Sequence, residues 1–142
     1  DLFDENWQFF TRPRYLPLSK FTGSTIDAAD IAEGTIVERS RITHSIIGLR
    51  SVIGAGTVIE DSIILGNDFY GRNGGDAGRP PLGIGRNCVI RKAIIDKNVH
   101  IGDGVQLVNR EKISEFENEH CVIRNGIIVI PKNTVIPAGT VI

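Results

Sequence analysis

The 142-residue chain has only two cysteines, Cys88 and Cys121, and no CxxC spacing. That sets aside a disulfide scaffold and favours a reducing compartment. No apolar run approaches the roughly 18 residues a membrane helix needs, and the N-terminus is acidic and aromatic rather than basic and then apolar. The chain therefore reads as soluble and unexported, with no membrane partner. Net charge is only −1 and the basic residues are scattered; nothing suggests a nucleic-acid tract, isolated basic residues can still cluster once folded, and a small anion is the better partner. Neither a P-loop nor a GxGxxG between strand and helix is present, so nucleotide binding by this stretch alone is not expected. His44, His100 and His120 form no H-x₃-H or H-x₄-H pair. They read as polar surface residues, and neither a metal site nor a catalytic residue is assigned.

What the chain does contain is an aliphatic residue about every six positions. Ile47-Gly48, Ile53-Gly54, Ile59-Glu60 and Leu65-Gly66 show it, as do Ile84-Gly85, Ile101-Gly102, Ile130-Pro131 and Ile136-Pro137. Such a period suits neither an amphipathic helix nor one alternating strand, and it predicts a solenoid whose coils stack to bury their apolar faces. From Ile31 the register passes through Val37, shortens to five-residue steps at Ile42 and Ile47, and then holds sixes through Ile53, Ile59 and Leu65. It resumes at Ile84, Ile90, Ile95, Ile101 and Leu107, and again at Ile130, Ile136 and Ile142. The fifth position of each hexad is small or β-branched: Thr35, Ser51, Thr57, Cys88, Val99, Val105, Thr134 and Thr140. A triangular cross-section explains this, with the first position filling the centre and the fifth confined to a tighter place. Three hexads then make a coil of roughly 18 residues at the spacing of neighbouring strands, about 4.8 Å. The length supplies roughly five coils. Cys88 fills a small-residue slot, so its role is packing.

The expected fold is all-β, a single-stranded parallel β-helix, and the pattern resembles the left-handed form, an exception to right-handed crossovers. Periodicity does not by itself set the hand. Six of the nine aromatic residues fall in the first 21 positions, where Pro13 and Pro17 break regular structure. Residues 1–22 thus read as an extended docking segment and 23–142 as the β-helix. The segment packs along the solenoid, against a second domain, or as a cap on the first coil. Residues 67–83, rich in Gly with Pro80-Pro81, and the polar residues 108–122 read as insertions, either passive surface loops or carriers of recognition.

A basic residue precedes Asn and a small residue at one phase of the hexad: Arg86-Asn87-Cys88, Lys97-Asn98-Val99 and Lys132-Asn133-Thr134. Asn accepts a left-handed backbone at a corner, so the basic side chain projects from the rim. These groups are either ordinary solvated surface charges or a converging set that holds a phosphorylated metabolite by charge-assisted hydrogen bonds.

With these residues in view, the chain resembles the C-terminal domain of ADP-glucose pyrophosphorylase (glucose-1-phosphate adenylyltransferase) in the cyanobacterial and plant style. The likeness spans nearly all of the sequence. It rests on Pro13-Arg14-Tyr15-Leu16-Pro17 with Ser19-Lys20, on His44-Ser45-Ile46-Ile47-Gly48-Leu49-Arg50-Ser51, on Glu60-Asp61-Ser62 and on Asp68-Phe69-Tyr70. It continues through Ile84-Gly85-Arg86-Asn87-Cys88, Ala93-Ile94-Ile95-Asp96-Lys97-Asn98 and Ile136-Pro137-Ala138-Gly139-Thr140-Val141-Ile142. The hexad alone is shared by many acyltransferases; the ordered non-repeat strings are the specific part.

The resemblance implies an enzyme that makes ADP-glucose and pyrophosphate from ATP and glucose 1-phosphate for glycogen or starch. It places catalysis and Mg²⁺ in an N-terminal nucleotidyltransferase domain that this sequence lacks, so the chain alone is expected to hold no cofactor and to be inactive. It also implies tetramer contacts, homomeric or heteromeric, and an effector site shared with the catalytic domain for 3-phosphoglycerate or inorganic phosphate. The effector-site lysines of the family fall on Lys97 and Lys132, and the arginine of the Pro-Arg-Tyr-Leu-Pro strip on Arg14. Arg12 and Arg86 complete the candidate set. Arg12 stands where the family has Gln, which bears on anion affinity. The 71–81 loop is Gly-rich and shorter than plant versions, and His120-Cys121 replaces an aromatic pair. Two rival readings are a hexapeptide acyltransferase using His44 or His100 as base, and a structural module that only assembles subunits.

Overall fold

A computed structural model describes residues 16–71 and 78–142. Among them there is no helix; short strands build the three walls of a prism. The first wall stacks Lys20–Thr22, Ile36–Glu38, Val52–Ile53, Gly83–Ile84, His100–Ile101 and Val135–Ile136. The second stacks Thr25–Asp27, Arg41–Thr43, Val58–Glu60, Val89–Arg91 and Gln106–Leu107, and the third begins with Asp30–Ile31, Ile46–Ile47, Ile63–Ile64, Ala93–Ile95 and Ile127–Ile130. All these neighbours pair in parallel, the arrangement of a β-helix of five coils with the start of a sixth. The first strand lies inside the segment 1–22 expected to be extended; Lys20 pairs with Ile36, so the prism already begins there.

The axis is filled by the predicted aliphatic column. Ile42, Ile59, Ile90 and Leu107 stack in register on the second wall and are wholly buried. Each such isoleucine contributes roughly 1.5–3 kcal/mol by leaving water. One expected member is wrong: Leu65 is 42% exposed, whereas Ile64 is 5% exposed and pairs with Ile47 and Ile95. The second corner, between the second and third walls, is turned in one residue fewer. There Ala28, His44, Asp61 and Lys92 take φ near +50°, so the step from Ile59 to the next inward residue is five. A coil therefore takes 17 residues rather than 18, as Ile42 and Ile59 show, and 16 where the first corner is shortened as well, at Arg39 between Val37 and Ile42.

The small fifth positions have a hydrogen-bonding reason as well as a steric one. At the first corner, Ser40 Oγ donates to the Gly54 carbonyl at 2.8 Å, Thr57 Oγ1 to Gly85 at 2.8 Å, and the Cys88 thiol to Gly102 at 3.2 Å. Each donor thus ties its coil to the next one and satisfies a buried polar atom in doing so. Gly54 is small because the coils meet closely: a Cβ there would lie 2.7 Å from the backbone carbon of Gly85.

Residues 108–122 are not a simple excursion. Val122–Arg124 pairs antiparallel with Ile127–Ile130, and Glu115–Glu117 with Val122–Arg124, so a hairpin extends the third wall beyond the last parallel coil. Phe116 and Ile123 pair within it, which gives this polar stretch an alternating register rather than a hexad. The other insertion leaves the third corner after Asn67 and returns at Gly83, with Leu82 buried.

Candidate anion site at the third corner

The third corner joins the third wall to the first, and there the chain bends through left-handed residues. Arg50, Asn98 and Asn133 have φ of 54°, 58° and 63°. Asn tolerates that region better than most side chains, as the basic-Asn triplets implied. Asn133 donates its backbone N–H to the carbonyl of Lys97 at 3.1 Å. Lys97 and Lys132 therefore occupy the same corner position in successive coils.

A third group stands beside them. Lys97 Nζ lies 3.3 Å from Asp68 Oδ1, where the loop leaves the preceding coil. Asn98, almost fully buried, grips Asp68 twice: its Nδ2 donates to Asp68 Oδ2 at 2.9 Å, and its Oδ1 accepts the Asp68 backbone N–H at 2.9 Å. The Asn98 and Lys97 hydrogen bonds hold the Asp68 carboxyl below the usual aspartate range, and the positive charges of Lys97 and Lys132 act in the same direction. The corner is thus a cationic pair facing one carboxylate, exposed enough for a solute to reach.

The remaining predicted residues fall elsewhere. Arg86 is exposed on the first corner, where Gly104 N–H donates to its carbonyl, so it does not join the two lysines. Its triplet shares their phase in the repeat but not their edge of the prism. Arg12 and Arg14 lie outside the described residues. The histidines occupy three separate places. His44 pairs with Asp61 at the second corner at 2.8 Å, His100 Nδ1 meets the Pro80 carbonyl at 2.8 Å on the first wall, and His120 contacts Glu119 in the hairpin. Asp68 received no role from the sequence. It is 29 residues before Lys97 and outside the repeat register.

The family model for the GLGC left-handed parallel β-helix domain matches residues 14–141. The chain belongs to that family. The match is to the C-terminal β-helix domain of the ADP-glucose pyrophosphorylase family, and the left hand of the coil comes with it. The match takes in every strand of the GLGC domain up to the last coil, both insertions, and all three of Asp68, Lys97 and Lys132. It also reaches Arg14. The acyltransferase reading loses its main support, because the hexad it relied on is here the hexad of another family.

Proposed function

We propose that this GLGC domain is the regulatory and assembly part of glucose-1-phosphate adenylyltransferase. It binds a phosphorylated effector of the 3-phosphoglycerate or inorganic phosphate type through Lys97 and Lys132, with Arg14 and Arg12 from the N-terminal strip. The observation that carries this reading is the stacking of the two lysines on one corner in successive coils, both acting on the same carboxylate. Neighbouring strands lie about 4.8 Å apart, a separation that two ammonium groups can bridge to the oxygens of one phosphate. Nucleotidyl transfer and its Mg²⁺ belong to the enzyme's catalytic domain.

The assembly half of the reading is supported by the outer face of the third wall. Ile46, Ile63, Ile94, Val129 and Val122 face one another from strand to strand across five positions, and Ile46 and Ile63 are well exposed. An apolar ladder of this length is a docking surface, and its occupant here is the nucleotidyltransferase domain. Ile94 and Val129 precede Lys97 and Lys132 by three residues each, so a domain seated on the ladder borders the lysine corner. An anion held there acts on the seam, because it binds one arrangement of the two domains better than another. Couplings of that kind are typically about 1–3 kcal/mol, or 5- to 150-fold in affinity. The assembled enzyme is a tetramer.

The test is effector titration of Lys97→Ala and Lys132→Ala in the full-length enzyme. Each change should weaken effector response about tenfold or more while leaving turnover without effector and thermal stability near wild type. Unchanged activation in both variants rejects the site.

A further inference from the structure

The site proposed above already contains an anion of its own. We infer that Asp68 is a built-in competitor, whose carboxylate, reaching up from the preceding coil, occupies the Lys97 ammonium that the effector needs and is displaced when phosphate binds. This rests on the anion-site reading and adds the element that sets its affinity.

The geometry supports competition rather than a structural ion pair. The Asp68 carboxylate is held as a bound anion is held: one oxygen by the Lys97 ammonium at 3.3 Å, the other by the Asn98 amide at 2.9 Å. Both ends of the ion pair are about 40% exposed, so exchange for a solute needs no unfolding. Nor does the segment depend on that carboxylate. The Asp68 backbone N–H is bonded to Asn98 Oδ1, Asn67 Nδ2 donates to the Arg50 carbonyl at 2.9 Å, and the Tyr70 hydroxyl donates to the Gly34 carbonyl at 2.7 Å. The side chain is free to swing aside while its backbone stays tied. Inorganic phosphate, with about −1.5 charge at neutral pH, attracts the lysine pair more strongly than a single carboxylate does. It must still evict Asp68, which weakens the corner's response to phosphate.

The experiment measures inorganic phosphate binding to the intact protein, by titration calorimetry at fixed ionic strength. The proteins are wild type, Asp68→Asn, Asp68→Ser and the double variant Lys97→Ala/Lys132→Ala. Asp68→Asn keeps an oxygen for the Asn98 amide and the backbone N–H, and Asp68→Ser serves if that variant folds poorly. Removing the carboxylate should tighten phosphate binding about three- to tenfold, the size expected for losing one exposed competing charge. The effect should vanish in the lysine double variant, and saturating phosphate should raise the Asp68 pKa in the wild type. If wild type binds through the lysines but both Asp68 variants bind equally or more weakly, the competitor role is wrong and the anion site stands. If phosphate binding is indifferent to the lysines, the anion site falls and the competitor with it.

Discussion

Lys132 stands one coil above Lys97 on the same corner, joined to it through the Asn133 N–H and the Lys97 carbonyl. That relationship turns two surface lysines, 35 positions apart in the chain, into one cationic edge. The separation is that long because an ordinary coil of 17 residues, the distance from Ile84 to Ile101, is here lengthened by the hairpin of the third wall, an insertion that leaves the corner register untouched.

The register at the second corner predicts opposite results for adjacent residues. Ile64→Ala should cost about 2–5 kcal/mol, since Ile64 is buried in the column. Leu65→Ala, on an exposed side chain, should cost under about 1 kcal/mol. Urea midpoints of the two variants check this, and equal costs would contradict the five-residue step.

Two glycines of the first corner should separate steric from conformational strain. Gly104 has φ +68° with no atom within 4 Å of an added Cβ, so Gly104→Ala meets only the left-handed penalty, about 1–2 kcal/mol. Gly54→Ala drives its methyl into the backbone of Gly85. Its cost should exceed that of Gly104→Ala by about 1 kcal/mol or more, as overpacking does. Thermal unfolding of both variants decides.

Cys88 and Cys121 should resist thiol reagents in the native protein. Burial raises both thiol pKa values, and Cys88 is fully enclosed. Reaction with an aromatic disulfide should follow unfolding, not native exposure. Cys88→Thr should be tolerated within about 1 kcal/mol, because Thr57 already makes the same bond to the next coil one level earlier.

Asp68 should titrate below the ordinary value of 3.8, held down first by the Asn98 hydrogen bond and then by Lys97. Its folded pKa is depressed, so the stabilisation it supplies is present above the unfolded value and is lost as pH falls through the folded one. Carbon-detected NMR titration measures this. In Asn98→Ala and in Lys97→Ala alike the Asp68 pKa should rise towards the ordinary value.

If the third-wall ladder seats the catalytic domain, Ile94→Asp should disturb assembly more than folding. The side chain is only half-buried and outward, so the isolated fold should lose little. Limited proteolysis of the full-length enzyme should cut between the two domains more readily, together with weakened effector response. Unchanged proteolysis would move the docking surface elsewhere.

The axial column, the triangular section and the small corner residues were legible in the amino-acid order because each follows from one local rule repeated every coil. An aliphatic side chain must reach the axis, and the position before the next corner must fit against a neighbouring backbone. The triplets around Asn98 and Asn133 were legible for a similar reason, since a left-handed corner selects Asn. The same rule could not say which edge of the prism a triplet occupies, and so it grouped Arg86 with two lysines on another corner. It also misplaced Leu65: the five-residue steps at His44 and Lys92 were read, but the one at Asp61 was masked because Ile64 and Leu65 are both aliphatic and either one suits the column. Asp68 and the hairpin lay beyond the repeat altogether. Their roles depend on contacts across 29 residues and on antiparallel pairing, which only the closed tertiary structure decides, because stacking brings distant segments to one edge without leaving a periodic mark in either.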